Sequence, residues 1–320
     1  METDGVRKAL DYPIPSHSLR IGYMFGGMAL FILAILFISG SAMAYFAYVP
    51  TLEGAHRSLE TITASKTLSG VRSAHAIAAD VFLVLLALHI ARISMTRSYF
   101  GERRKTWNTG ILLLGITSAF YFSGTVMKWD QEGYEAFSHL DWLLGSASET
   151  LMAGSVPMKM LVIHAVVAPA LLLALLGGHL LLVKILGISP LSPAAARETE
   201  SVGFLRHLRH VAAYSLIIIG IIKLAAAFYT PALLHEPVPD VEWTKPPWPF
   251  LFLYPLETYG GMWTLWAVPL FAAAELLIIP SFVRPEKRRD LSQGIFLTML
   301  ALWAALTLWG AWMPPAHHLM

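Results

Sequence analysis

The stretch VRSAHAIAADVFLVLLALHIAR, residues 71–92, decides how the chain is read. Between its two arginines runs an apolar segment interrupted by Asp80 and by two histidines, His75 and His89, fourteen positions apart. A second stretch, HAVVAPALLLALLGGH at residues 164–179, repeats the arrangement with His164 and His179 fifteen apart. At a helical rise of 1.5 Å per residue these separations are roughly 21 and 22 Å, about two-thirds of the hydrocarbon thickness of a bilayer. Fourteen steps of about 100° return to within roughly 40° of the starting direction, and fifteen to within about 60°, so each pair shares a helix face. Ionisable groups inside lipid are costly, and their default reading is functional.

Composition supplies the lipid context. Of the 320 residues 56% are hydrophobic and 14% charged, against about 25% charged in soluble domains, and the mean hydropathy is +0.59. A water-soluble globular enzyme is excluded. The absence of cysteine removes disulfides, thiolate-ligated zinc, iron–sulfur ligation and thioether-attached haem, so a metal must be held by histidine or carboxylate. The formal charge of +2 gives no sign of nucleic-acid binding, because the charges are distributed by membrane rules. Seven apolar runs of spanning length lie at about 21–49, 73–91, 107–127, 160–183, 211–234, 258–283 and 291–313. The first is too long for a cleavable signal peptide.

Of the 23 lysines and arginines, sixteen fall on the side of the N-terminus and six on the other. The N-terminus, the 92–105 turn, the 184–209 linker and the 284–289 turn are therefore expected on the cytoplasmic side of a prokaryotic inner membrane. Asp130, Glu132, Glu135, Asp141 and Glu149, with Glu236, Asp240 and Glu242, make the opposite, periplasmic side acidic. Trp248, Trp263, Trp266, Trp303, Trp309 and Trp312 are expected as interfacial aromatics. The Pro- and Ala-bearing linker at about 187–205 divides a four-helix part, 1–190, from a three-helix part, 205–316.

The second and fourth runs cross in the same direction, so His75 lies level with His164 and His89 with His179. Two level pairs of imidazoles on facing helices are what two stacked bis-histidine haems require. A porphyrin between helices also needs close backbones free of side chains, which glycine provides. Gly26 and Gly40 on the first run, and Gly110 and Gly124 on the third, are each fourteen apart, matching the histidine spacing next door. Arg72 and Arg92 flank the two histidines where propionates would emerge. The expected fold is an all-α membrane protein of seven transmembrane helices, a di-haem four-helix bundle followed by a three-helix segment. A transporter in which the four histidines relay protons or bind a metal is a rival of another class.

Several stretches carry a resemblance: Gly26-Gly27 after Tyr23, Val71-Arg72-Ser73-Ala74-His75, His89-Ile90-Ala91-Arg92, Thr106-Trp107-Asn108-Thr109-Gly110 and Trp129-Asp130-Gln131. In these the chain resembles cytochrome b, the haem-bearing membrane subunit of quinol–cytochrome c oxidoreductases and of their photosynthetic counterpart, strongly over about 15–190 and more loosely over 205–315. The resemblance implies two b haems passing electrons between quinone sites on the two sides of the membrane. It also implies partner subunits with iron–sulfur or c-type haem centres, and a homodimeric complex. Where the photosynthetic form attaches an extra haem through cysteine this chain has Met24, so both haems are expected to be non-covalent. Lys184 stands where that form has an arginine near the cytoplasmic quinone, and His207, His210 and Glu275 are candidates for carrying protons there.

One region departs from the family. Its Pro-Glu-Trp-Tyr motif, whose acid helps take a proton from quinol, is replaced by Pro246-Pro247-Trp248-Pro249, ahead of a well-matched Phe250-Leu251-Phe252-Leu253-Tyr254-Pro255. Lys128 precedes Trp129 where proline is usual, and the 131–164 connection looks short. Proline has neither carboxylate nor backbone N–H, so the periplasmic quinol site is expected to be altered or lost, with Asp80, Glu242 and Glu257 as candidate replacements for the acid. A non-bifurcating conduit joining a non-Rieske partner to one quinone site is the alternative within the family.

Overall fold

The computed structural model describes residues 11–191, 200–287 and 289–318. Arg7, Lys8, Pro193, Arg197 and Arg288, used in the charge and linker readings, lie outside these. Among the described residues seven helices are long and apolar enough to cross a membrane. The chain runs through α1 (Phe25–Phe46), α2 (Gly54–Ala64), α3 (Leu68–Thr96), α4 (Arg104–Met127), α5 (Gln131–Leu144) and α6 (Ser146–Leu151). It continues as α7 (Val156–Leu186), α8 (Phe204–Ala226), α9 (Leu253–Gly260), α10 (Thr264–Ile278) and α11 (Leu291–Trp312). Spans α1, α3, α4, α7, α8, α10 and α11 alternate in direction, while α2, α5, α6 and α9 lie on the acidic face.

Local chemistry sets these boundaries. Asp130 caps α5 by accepting from Gly133 N, Ser155 caps α7 from Met158 N, and Asp290 caps α11 from Ser292 N and Gln293 N. The helix α3 stops at Arg97, held in the left-handed region at φ +52°. Packing is pairwise: α1 lies mainly on α3, α4 on α7, and α8 against α3 and α1. Met28, Ile32, Ala78, Phe82, Val211 and Ile222 fill the α1/α3/α8 seam. A two-stranded antiparallel ribbon, Pro13–Pro15 with Ser201–Gly203, ties the start of the chain to the start of α8.

Three expectations need correction. The fifth span begins seven residues before the expected 211 and ends at Ala226, because Arg206, His207, Arg209 and His210 form its polar opening turns. The apolar residues after Ala226 belong to an irregular connection that contains Pro231. The sixth run is two helices, α9 and α10, broken at Gly261 with φ +88°. Trp248 is no interfacial ring: its indole Nε1 donates to Asp80 Oδ1 at 2.7 Å.

The fourth span carries a local π turn at Ile163–Val167, just before Pro169, whose missing N–H loosens the helical ladder. A π turn accommodates one extra residue. That insertion accounts for the fifteen-residue histidine step on α7, against fourteen on the regular α3.

Candidate functional site

Each of the four intramembrane imidazoles faces one of the four glycines. A Cβ added at Gly40 would sit 3.1 Å from His75 Cε1, and at Gly124 3.1 Å from His164 Cε1. The same construction gives 2.9 Å from Gly26 to His89 and 3.6 Å from Gly110 to His179. The glycines are thus the side walls of two slots, one toward each face.

Hydroxyls beside three of the glycines fix the ring tautomers. Ser39 Oγ donates to Ile35 O at 2.7 Å, so toward His75 Nδ1, 2.9 Å away, it must accept. Ser123 Oγ donates to Ala119 O at 2.7 Å and accepts from His164 Nδ1 at 3.1 Å. Thr109 Oγ1 donates to Thr106 O at 2.9 Å and accepts from His179 Nδ1 at 3.1 Å. With the proton on Nδ1, the Nε2 lone pair of each ring is left for a metal, the usual outer-shell arrangement of a ligating histidine. His89 differs, because Gly26 follows Phe25 and not a hydroxyl residue.

These residues fit haem. The rings of His75 and His164 stand 6.5 Å apart between centroids, close to the about 6 Å expected for two imidazoles on one metal with bonds of about 2.0 Å. The neutral N donors on facing helices are a bis-histidine set.

The flanking basic residues divide. Arg72 donates to Thr63 Oγ1 at 3.1 Å, Pro231 O at 2.8 Å and Ala232 O at 3.1 Å, and so anchors the connection after α8. Arg92 lies 3.5 Å over the Tyr23 ring and donates through Nη2 to Ser189 Oγ at 2.9 Å. Its buried Nε has no partner, a donor aimed where an acidic group would be welcome. Lys184 is exposed at the end of α7. His207 Nδ1 is bonded to Ser18 O at 2.9 Å and His210 Nδ1 to Arg206 O at 2.8 Å, within the fold of the N-terminal face.

Asp80 is held by two donors, Trp248 Nε1 and Tyr121 OH, the latter at 3.0 Å, both on Oδ1. Lys223, the charged residue within the fifth span, is exposed on α8. The altered Pro-Pro-Trp-Pro stretch therefore reaches between α3 and α4, and Phe250 packs edge-on to Tyr121 at 6.1 Å.

Behind that stretch lies a polar cap built from distant segments. Buried Gln131 donates to Glu135 Oε1 and Val241 O, each at 2.8 Å, and accepts from Val238 N at 2.8 Å. Buried Glu135 accepts from Trp243 N at 3.1 Å, from Thr244 N at 2.9 Å and from the Thr244 hydroxyl. Glu242 and Glu257, both buried, come together with His139 of α5 and His318 near the chain end. Burial works against a charged His139 ring, yet Glu257, the Glu135 carbonyl and Glu242 outweigh it and raise its pKa above the ordinary imidazole value. Sequence reading placed Glu135 only among the acids of the periplasmic side and did not single out His139 or His318; no spacing links residues 139, 242, 257 and 318.

Known proteins bear on both the fold and the class. The family described as Cytochrome b/b6/petB matches residues 9–187. This chain belongs to the cytochrome b family, and membership implies haem b. It is 28% identical over 193 residues to cytochrome b6 of Heliobacterium mobile, which covers 56% of this chain and 90% of that one. To cytochrome b6 of Amphidinium operculatum it is 31% identical over 193 residues, covering 55% and 87%. A chain of the solved "Hyperthermophilic respiratory Complex III" superposes with a TM-score of 0.80 at 21% identity, over 98% of this chain and 90% of that one. The likeness of fold thus extends through the three-helix part. The chain is a multi-pass membrane cytochrome b of the kind found in bc-type and b6f-like complexes.

Proposed function

We propose that this chain is the di-haem cytochrome b subunit of a quinone-linked respiratory complex in a prokaryotic inner membrane, with its N-terminus cytoplasmic. In this reading His75 and His164 hold one non-covalent haem b toward the acidic, periplasmic face, and His89 and His179 hold the other. The observation that carries it is the one-to-one opposition of four imidazoles and four glycines, with Nδ1 of three rings held by a neighbouring hydroxyl. Bound there, haem supplies one-electron carriers at two depths of the bilayer. The residues do the rest: the glycines keep the slots open, the hydroxyls orient the ligands, and Arg92 offers a free N–H to a propionate. Residues 1–190 form the haem domain and 205–316 the three-helix domain. The complex is a homodimer with iron–sulfur or c-type cytochrome partners.

Quinone would bind on both faces. On the N-terminal face a cavity of about 470 Å³ opens between α1 and α8, lined by Phe31, Leu205, Leu208, Arg209 and Ala212, with the size and apolar walls a lipid quinone needs. On the acidic face Asp80 takes the part of the missing motif acid. Tyr121 and Trp248 both occupy Oδ1, leaving Oδ2 to accept a proton, with Glu242 and Glu257 on the way out. The anchoring of Trp248 to Asp80 also favours a second reading, in which the loop fills this pocket and the chain is a non-bifurcating conduit to one quinone site.

Pyridine haemochrome and reduced-minus-oxidised spectra of the purified protein test the main reading: two b haems per chain and no c-type haem are expected. Leucine at any of the four histidines should leave one haem; a variant that keeps both overturns the assignment. Unchanged quinol oxidation in Asp80→Asn removes Asp80 from the reaction, and insensitivity to inhibitors of the periplasmic site selects the conduit.

A further inference from the structure

The cap gathers two carboxylates and two imidazoles from distant segments at one place. The two carboxylates, Glu242 and Glu257, are buried, and both face imidazoles. His139 Nε2 lies 3.1 Å from Glu257 Oε1 and 3.5 Å from Glu242 Oε1. His318 Nδ1 lies 3.1 Å from Glu242 Oε1 and 3.7 Å from Glu257 Oε2. A tetrahedral ion with bonds of about 2.0 Å has ligand–ligand edges of about 3.3 Å, and all four separations fall around that length.

The outer shell is also that of a metal site. The ring nitrogen of each histidine that faces away from the acids is already engaged: His139 Nδ1 with Glu135 O at 2.7 Å, and His318 Nε2 with Thr258 Oγ1 at 2.9 Å. Such bonds orient ligating histidines and leave the other nitrogen toward the ion. Buried Glu257 Oε1, though close to His139, accepts no well-formed hydrogen bond. His139, Glu257 and His318 each offer a ligand atom, and these atoms lie within 4.8 Å of one another.

We propose that His139, Glu257 and His318, with Glu242 as fourth donor, bind one divalent ion of the zinc class on the acidic face. Two imidazoles with carboxylates suit zinc or cobalt better than calcium or magnesium, which want oxygen alone. Four protein donors make a closed, structural site. It would fasten the C-terminal segment to α5, to α9 and to the connection that carries Glu242. The inference is independent of the haem assignment, and it moves Glu242 and Glu257 from proton transfer at the quinol site to metal binding.

The test uses the purified, haem-loaded full chain without a polyhistidine tag, stripped by chelator and titrated with Zn²⁺ and Co²⁺. One Zn²⁺ per chain and the intense visible bands of tetrahedral Co²⁺ are expected. His139→Gln and His318→Gln should each weaken Zn²⁺ binding more than 100-fold with the haem spectrum intact. Thr258→Val, which supplies no donor to the ion and removes only the outer bond to His318 Nε2, should weaken it about tenfold. Absence of stoichiometric binding, an octahedral Co²⁺ spectrum, or wild-type affinity in both histidine variants overturns the proposal. Loss of quinol oxidation with metal binding intact would count against the Proposed function alone.

Discussion

The haem cradle and the polar cap are built by opposite means. In the cradle, four helices repeat one local device, a histidine on one span against a glycine on its neighbour, and position along the helix sets everything. In the cap, groups at residues 131, 135, 139, 242, 257 and 318 meet because four separate segments of the chain converge on one place. A repeat of helical period tolerates drift between homologues so long as the spacing holds. A convergent cluster depends on each connection, and it sits beside the stretch where this chain departs from its family.

The largest effect that would break this comparison lies in the cradle walls. Leucine at Gly40 or Gly124 places a branched chain where even a Cβ comes within 3.1 Å of the facing imidazole. Each substitution should halve the haem content, read by pyridine haemochrome. Gly110→Ala, where the contact is 3.6 Å, should retain both haems. Equal tolerance at all of these positions would mean that the glycines serve helix packing alone.

Next is the keystone of the cap. Glu135→Ala leaves Trp243 N and Thr244 N without their acceptor and takes from Gln131 Nε2 one of its two, Val241 O remaining. Buried donors cost about 1–3 kcal/mol each when unpaired, so a loss of about 4 kcal/mol in thermal or denaturant unfolding of the purified protein is expected, with the haem spectrum retained. A haem spectrum lost in parallel would show that cap and cradle are one cooperative unit.

On the opposite face, a buried pair sharpens the contrast. Arg97 Nη1 meets Asp290 Oδ2 at 3.0 Å, with both side chains almost fully buried. Burial alone would raise the Asp290 pKa, but the Arg284 N–H, the Ser292 hydroxyl and the Arg97 guanidinium overcome it and hold the carboxyl below its ordinary range. Because the folded value is depressed, its contribution is complete above the ordinary pKa of about 4 and is lost as pH falls through the lower folded value. Asp290→Asn should therefore cost about 2–3 kcal/mol at neutral pH. The gap between variant and wild type should narrow below about pH 4, as unfolding curves across pH would record.

These differences set what the amino-acid sequence reveals. The seven spans and the matched spacing of four intramembrane histidines and four glycines were legible because hydropathy and helical phase are local properties. The boundary of the fifth span was not, because Arg206 and Arg209 read as loop charges although they are helical, and the residues after Ala226 read as membrane although they are irregular. The fifteen-residue step on α7 made sense only with its π turn. Trp248 looked like an interfacial ring until the fold brought Asp80, 168 positions earlier, to its indole. The cap cluster had no linear signature at all. One local signal was there to be used: Ser39, Thr109 and Ser123 each precede a cradle glycine.

That signal yields the smallest and most specific prediction. In three of the four imidazoles the Nδ1–H donates to a hydroxyl, and such a bond makes an imidazole a stronger donor at Nε2. Ser39→Ala removes it from His75 while leaving the Gly40 wall and the ring's packing in place. A neutral hydrogen bond contributes about 1 kcal/mol, equivalent to about 40 mV for a one-electron couple. A weaker ligand stabilises the oxidised metal less, so the midpoint potential of the haem on the acidic face should rise by up to that amount in a redox titration, with the other haem unmoved. Ser123→Ala should shift it less, because His164 Nδ1 keeps Phe120 O at 3.1 Å. An Ala at residue 25 supplies the control: the Phe25 side chain has no hydroxyl to lose, and the potential of the haem held by His89 should not shift through this bond.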